Sequence, residues 1–213
     1  YENFFVTGRR RVLPSTVPRT MLGAASSLLA IELGVRGPNY AISTACSSSS
    51  HAIGWAFRMI SHEMLHTCLA GGTECPVSPG HLHAWDQLRA LANENASPAR
   101  ACRPFSRNRT GLVLGEGAAM LVLEERSRAL NRGAPICGEI LGYGANCDAR
   151  GMLLPSAKSQ ADCLQKTLND AGTSCFRRRK LYLVVLFPQP LHLLIDQKAT
   201  PSGAQTSCQS VCM

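Results

Sequence analysis

Residues 38–54 constrain this chain more than any other stretch: Pro38-Asn39-Tyr40-Ala41-Ile42-Ser43-Thr44-Ala45-Cys46-Ser47-Ser48-Ser49-Ser50-His51-Ala52-Ile53-Gly54. Strand-forming residues at 40–44 stop at Cys46, and small residues lead into an apolar helical pattern. A cysteine at such a strand-to-helix corner stands beside the unpaired N–H groups of the first helical turn. Those groups and the helix dipole favour the thiolate, which is the nucleophilic form. A free cysteine is also a common small buried hydrophobe, so this stretch alone leaves packing and chemistry both open.

The helix after Cys46 covers about residues 47–61. Ala52, Ile53, Ala56, Phe57 and Ile60 recur at helical spacing, and Trp55 and Met59 widen the face. That much apolar surface predicts a helix inside the molecule. Thr67-Cys68-Leu69-Ala70-Gly71-Gly72 reads as a short buried strand ending in a glycine turn. Strand, helix and strand in this order form a βαβ unit, which implies a parallel sheet. Upstream, residues 20–33 read as a buried helix stopped by Gly34.

His62-Glu63-Met64-Leu65-His66 matches a zinc-protease pattern. That pattern needs both histidines on one face of a continuous helix and a third ligand further on. Here the helical pattern is ending, His66 runs into the strand, and no further ligand motif follows. No metal is expected.

Residues 73–101 are loop-rich, with a helical piece around 85–91. A second dense block follows: Arg103-Pro104-Phe105-Ser106-Arg107-Asn108-Arg109-Thr110-Gly111-Leu112-Val113-Leu114-Gly115-Glu116-Gly117-Ala118. Gly115 and Gly117 allow close backbone approach or supply positive φ. Glu116 between them is a lone acid, expected either to pair with an arginine or to lie near a reacting centre. The glycines are too few for a phosphate loop, and no Lys-Ser/Thr end follows. Strands are predicted at 119–123 and 136–143, and a polar helix at 124–132. An amphipathic helix over 157–171 has Ala161, Leu164, Leu168 and Ala171 on one face and stops at Gly172.

Composition narrows the partners. Apolar residues make up 45% and charged residues 17% of 213, a globular balance. The net charge of +8 favours an acidic partner. Its arginines are scattered and only 6% of residues are aromatic, which argues against nucleic acid. Arg9-Arg10-Arg11 reads as a solvated loop or as a docking point for an acidic carrier protein. Ten cysteines at irregular spacing do not make a disulfide framework, and reduced thiols in an intracellular compartment fit better. The longest apolar run, 181–187, is too short to span a membrane. The chain begins at Tyr1, so its true start is expected to be missing or processed, and no signal peptide is seen. From residue 176 on, a basic run, a short apolar run and a serine-rich end show no sustained periodicity.

Residues 38–54, the Ala70-Gly71-Gly72-Thr73-Glu74 segment and the 103–124 block occur in an order and spacing that resemble the β-ketoacyl-acyl-carrier-protein synthases. These are the condensing enzymes of fatty-acid synthesis, and the likeness is to their elongating type. Thr44-Ala45-Cys46-Ser47-Ser48 looks like the nucleophile corner of that family. The Arg103 block, with Gly115-Glu116-Gly117-Ala118, is similar to its second signature. The likeness covers about residues 8–172.

The resemblance implies a thiolase-like layered α/β fold, present here as the N-terminal half and the start of the C-terminal half. It divides the chain into a partial synthase domain, 1–175, and a divergent, poorly ordered tail, 176–213. It implies that Cys46 takes an acyl group from carrier protein and offers its backbone N–H to an oxyanion. It places Arg103, Gly115, Glu116 and Gly117 as structural residues near that site, and Arg9, Arg10 and Arg11 at carrier docking. No cofactor is implied. The intact enzyme is expected to be a homodimer that accepts malonyl and acyl carrier protein, in a mitochondrion or else in a plastid or bacterial cytoplasm.

The family's later histidine blocks have no counterpart after Gly172, and His192 sits in a different context. Ser106 and Thr110 stand where the family favours acids. The chain is therefore expected to be truncated at both ends and unable to complete decarboxylative condensation. The alternatives are a thiolase-type acyltransferase, or a non-catalytic form acting only by dimerisation or carrier binding.

Overall fold

The computed structural model describes residues 6, 8, 13–93, 97–151, 154–173, 180–185 and 191–196. Helices α1 (Thr16–Thr20) and α2 (Ala24–Leu33) come first. Helix α3 (Ser48–Ser61) follows Cys46 and leads to β1 (Thr67–Glu74). Helix α4 (Pro79–Gln87) and one 3-10 turn (Pro98–Arg100) precede β2 (Gly117–Glu124). Then come α5 (Arg126–Asn131), β3 (Glu139–Ala145), α6 (Ala157–Asp170), β4 (Lys180–Val185) and β5 (Leu191–Asp196).

Helix α3 is the central element. It packs on β1 and also meets β2, β3 and β5. Ser50, Ile53, Gly54, Ala56 and Met59 are its buried residues, mostly three apart on one stripe. Ile53, Ala56 and Ala70 form the core, with Cys68, Leu123 and Ile140 against them. Trp55 lies off this stripe and is 52% exposed, so the buried face is narrower than the sequence implied.

The sheet topology corrects the parallel βαβ reading. β1 pairs with β2 antiparallel, from Thr67 opposite Glu124 to Glu74 opposite Gly117. In the second sheet β5 lies between β3 and β4, again antiparallel throughout. Residues 40–44 form no strand; their only bridge is the isolated one between Thr44 and Cys46. Helix α3 therefore does not connect two paired strands.

Gly71 and Gly72 also differ from expectation: they lie inside β1, with no turn. A Cβ on Gly72 would meet Ser49 Oγ at 2.0 Å, and one on Gly71 would meet the Ala119 carbonyl at 2.0 Å. Both positions are kept bare so that helix and neighbouring strand can approach.

Helix α2 ends at Gly34 as expected, with φ 64 in the left-handed region. None of its residues is buried, however, and Ile31 is 77% exposed. Ala24, Ser26 and Ala30 are half-buried, and the apolar Leu28, Leu29, Ile31 and Leu33 are left uncovered by the described residues. Helix α4 starts earlier than predicted because Ser78 caps it, accepting from the His81 N–H, with Pro79 in the first turn. Helix α6 ends at Gly172, φ 62, but buries Cys163, Thr167 and Leu168. That face is rotated away from Ala161 towards β3, where the Cys163 thiol donates to the Gly144 carbonyl at 3.4 Å.

A backbone staple closes the loop between α4 and β2. Ala92 N–H donates to Leu112 O at 2.8 Å, and Leu112 N–H donates to Ala90 O at 2.9 Å. Among the described residues no helix is long and apolar enough to cross a membrane. Beyond Gly172, β5 adds to β3 and β4 adds to β5.

Candidate active site

The corner at Cys46 is shaped by its backbone. Ala45 has φ 52, a left-handed conformation that L-residues rarely adopt. This reverses the chain between the extended segment and α3. Serine hydroxyls then tie the corner down. Ser47 Oγ donates to Thr44 O at 2.8 Å, and Ser48 Oγ donates to Ala45 O at 2.6 Å. Thr44 N–H in turn donates to Ser48 Oγ at 2.8 Å. Ser47 is 2% exposed, whereas Cys46 beside it is an exposed free thiol.

Ser47 is the N-cap of α3, yet its side chain makes no capping bond to the helix. Its hydroxyl points back to Thr44, and the Ser47 and Ser48 N–H groups donate to Thr44 O at 3.3 Å and Ala45 O at 3.1 Å, so the N–H groups left to an anion are the later ones of the first turn. Such groups form an anion site at a helix start. A thiolate, or the oxyanion of a thioester under attack, has the charge that such a site favours.

A second polar cluster fastens the same helix. His51 Nδ1 lies 2.7 Å from the Tyr143 hydroxyl. Burial holds the His51 imidazolium down and pushes the Tyr143 phenol up. The Arg58 guanidinium donates to Tyr143 O at 3.1 Å and to Asp170 Oδ1 at 2.7 Å. The sequence reading passed over His51, Arg58, Tyr143 and Asp170. Its available signal was His51 and Arg58 seven apart on an otherwise apolar helix, two turns along one face.

Trp55, Arg58, His62, Tyr143, Lys166 and Asp170 line an open cleft of about 670 Å³ at the far half of α3. None of its lining residues belongs to the Cys46 corner, so the cleft is not a pocket around the thiol.

The other predicted residues lie elsewhere. Arg103 Nε donates to Arg100 O at 2.8 Å within its own loop. Among the described residues Glu116 pairs with no arginine: its Oε1 accepts from the Cys75 thiol at 3.0 Å and from Val77 N–H at 3.1 Å. That carboxylate pushes the Cys75 thiol up. Gly115 and Gly117 have neither a close neighbour at the Cβ position nor a positive φ. The close approach falls at Gly111, where a Cβ would stand 2.4 Å from the Leu91 carbonyl carbon. None of these contacts reaches Cys46. Arg9, Arg10 and Arg11 lie outside the described residues.

The histidine pair is separated as expected. His62 caps the end of α3, and His66, before β1, meets Glu125 at 3.2 Å. Among the described residues no group of three His, Cys, Asp or Glu is placed to hold a metal.

Residues 2–129 match the family described as "Beta-ketoacyl synthase, N-terminal domain". The chain is 41% identical over 175 residues to the chloroplastic 3-oxoacyl-[acyl-carrier-protein] synthase I of Arabidopsis thaliana, covering 81% of this chain and 37% of that protein. It is 38% identical over 174 residues to 3-oxoacyl-[acyl-carrier-protein] synthase 2 of Coxiella burnetii, covering 81% and 42%. The chain thus spans about two fifths of the length of these relatives. Among solved structures, a beta-ketoacyl synthase from Burkholderia phymatum superposes with TM-score 0.74 at 35% identity, covering 80% of this chain and 42% of that one. A type II polyketide ketosynthase, in complex with its acyl-carrier protein, superposes with TM-score 0.75 at 28% identity, covering 81% and 44%.

Proposed function

The chain belongs to the β-ketoacyl synthase family, and on that footing we propose that Cys46 is the acyl-accepting nucleophile of a 3-oxoacyl-[acyl-carrier-protein] synthase. The fold is the thiolase-like α/β fold of the ketosynthases on which it superposes. The observation that carries the reading is the placement of one exposed thiol at the start of α3, on a strained corner, with the N-cap hydroxyl turned away from the helix.

In the proposed reaction the Cys46 thiolate attacks the carbonyl carbon of an acyl thioester on acyl carrier protein. A new C–S bond forms and the old one breaks. The carrier's thiolate leaves and takes up the proton that Cys46 released. Malonyl carrier protein then loses carbon dioxide, and the freed electron pair becomes a carbanion. The carbanion attacks the acyl-Cys46 carbonyl, and the Cys46 thiolate departs as the 3-oxoacyl product forms. This second half needs donors for the developing enolate. No described residue is assigned that role, so the chain alone is expected to stop at acyl-Cys46.

The partners follow from the same reading. A ketosynthase relative is solved with its acyl-carrier protein, which supports a carrier protein as the substrate donor here. Arg9, Arg10 and Arg11 are proposed to meet the acidic carrier, and two copies to pair in the intact enzyme. The cited relatives are chloroplastic and bacterial. A mitochondrial location is a proposal, tested by imaging the tagged product of the intact gene.

The test of function is direct. The chain is incubated with acyl carrier protein charged with a medium acyl group, and peptides are read by mass spectrometry. An acyl adduct on Cys46, absent in Cys46→Ala, is expected. No adduct overturns the reading, and 3-oxoacyl product on adding malonyl carrier protein overturns the limit to the first half.

A further inference from the structure

His51 and Tyr143 are 92 positions apart in the chain, and acyl loading by Cys46 gives neither of them a part. Three successive turns of α3 nevertheless grip Tyr143. His51 Nδ1 meets its hydroxyl at 2.7 Å, with the rings edge to face. Gly54 lies under the ring, where a Cβ would stand 2.0 Å from Cε2. Arg58 donates to its carbonyl, and Asp170 Oδ2 accepts its N–H at 2.8 Å. Arg58 and Asp170 fasten the far half of α3. The near half packs on β1 through Ser49, and the His51 bond is its side-chain link to β3.

That bond leads back to the corner. The His51 N–H donates to Ser47 O at 2.9 Å, and Ser47 Oγ donates to Thr44 O at 2.8 Å. Ser47 adjoins Cys46. Ser47 N–H donates to Thr44 O at 3.3 Å and Ser48 N–H to Ala45 O at 3.1 Å, so two backbone bonds that span Cys46 fix it to the start of α3. Rigid support of such a group by packed, hydrogen-bonded neighbours is what holds a reactive geometry.

We propose that His51 is a positioning residue for the Cys46 thiol: anchored on the Tyr143 hydroxyl, it fixes the tilt and rotation of the first turn of α3, and with them the place of the thiol that the Ser47 and Ser48 bonds tie to that turn. This deepens, and rests on, the reading of Cys46 as the acyl-accepting nucleophile. Burial lowers the His51 pKa, so the imidazole is neutral near pH 7, and the tautomer decides which partner of the Nδ1–hydroxyl bond donates.

The full chain is alkylated with iodoacetamide over about pH 6 to 10, the range in which thiols ionise. Cys46 and the exposed Cys137 are followed by peptide mass spectrometry. In Tyr143→Phe and in His51→Ala, Cys46 should react about fivefold more slowly relative to Cys137, the fold-change one neutral hydrogen bond carries. His51→Asn places an amide oxygen where Nδ1 stood and should restore the rate to within about twofold. Tyr143→Phe removes a single oxygen, so it tests the proposal even if His51→Ala fails to fold. An unchanged Cys46 rate in Tyr143→Phe overturns the proposal, as does an equal change at Cys46 and Cys137. Alkylation needs no carrier and no acyl group. Failure to form acyl-Cys46 with the alkylation pattern intact therefore overturns the synthase reading alone.

Discussion

Ser49 and Gly72 leave no space for a side chain between the first turn of α3 and β1: a Cβ on Gly72 would stand 2.0 Å from Ser49 Oγ and 3.0 Å from Ser49 Cβ. Gly72→Ala should therefore lower stability by about 1–3 kcal/mol, the usual cost of overpacking. Adding Ser49→Ala removes the nearer atom and should recover part of the loss. Urea midpoints of the single and double variants measure this, and an additive pair would mean that the two residues do not meet.

Ala45 holds φ 52 with only a methyl side chain. A β-branched residue there is far less tolerated. Ala45→Val should cost about 1–3 kcal/mol of local strain and displace Cys46. Thermal melting reads the first effect. Acylation of Cys46 reads the second, and it should fall further than stability alone explains.

Asp170 serves two donors, the Tyr143 N–H and the Arg58 guanidinium, and its side chain is 23% exposed. Asp170→Ala should destabilise by about 2 kcal/mol, the scale of lost hydrogen bonds to a charged group. Lys158 and Asp162 form an exposed i, i+4 pair on the same helix. Lys158→Ala should leave the denaturation midpoint unchanged within error.

Burial also gives His51 a pH signature. The folded chain keeps His51 neutral to lower pH than the unfolded chain, where histidine titrates near 6.5. As pH falls through 6.5 the unfolded state takes up the proton first. The contribution is full above 6.5 and is lost below it. Urea midpoints taken on either side of that value should differ, and the difference should shrink in His51→Asn. The Tyr143 hydroxyl faces the imidazole, and burial is the cause of the shift.

Glu116 restrains Cys75 by accepting its thiol proton and by repelling the thiolate. Glu116→Gln removes the charge and should speed alkylation of Cys75 relative to Cys137. Equal rates in the two proteins would show that the contact does not form in solution.

Local signals carried most of the elements, and long-range ones were lost. The helix after Cys46 was legible almost to its ends, because its buried residues recur on one stripe. Gly34 and Gly172 marked helix ends, because both sit at positive φ. The sheet was not legible. Thr67 pairs with Glu124, and nothing in either segment states the direction of a partner more than fifty residues away. A glycine pair looks the same in a turn as in a strand that a helix must approach, so Gly71 and Gly72 were misread. At the site, the Cys46 corner was visible as a pattern. Its supports were not, because His51 and Tyr143 become neighbours only when α3 packs on β3. The partner of Glu116 proved to be a thiol, a donor that charge counting overlooks.

The staple at Ala90, Ala92 and Leu112 has a consequence for the covalent continuity of the chain. Arg100, Arg103, Arg107 and Arg109 lie in the loop that it closes, and β1 and β2 lie on either side. A cut at Arg107 would leave one fragment carrying α3 and β1 and another carrying β2, still joined by the staple and by a full strand pairing. The chain is in this sense already divided into two complementary pieces. Expressed as separate polypeptides, they have the contacts to find each other and rebuild the corner at Cys46.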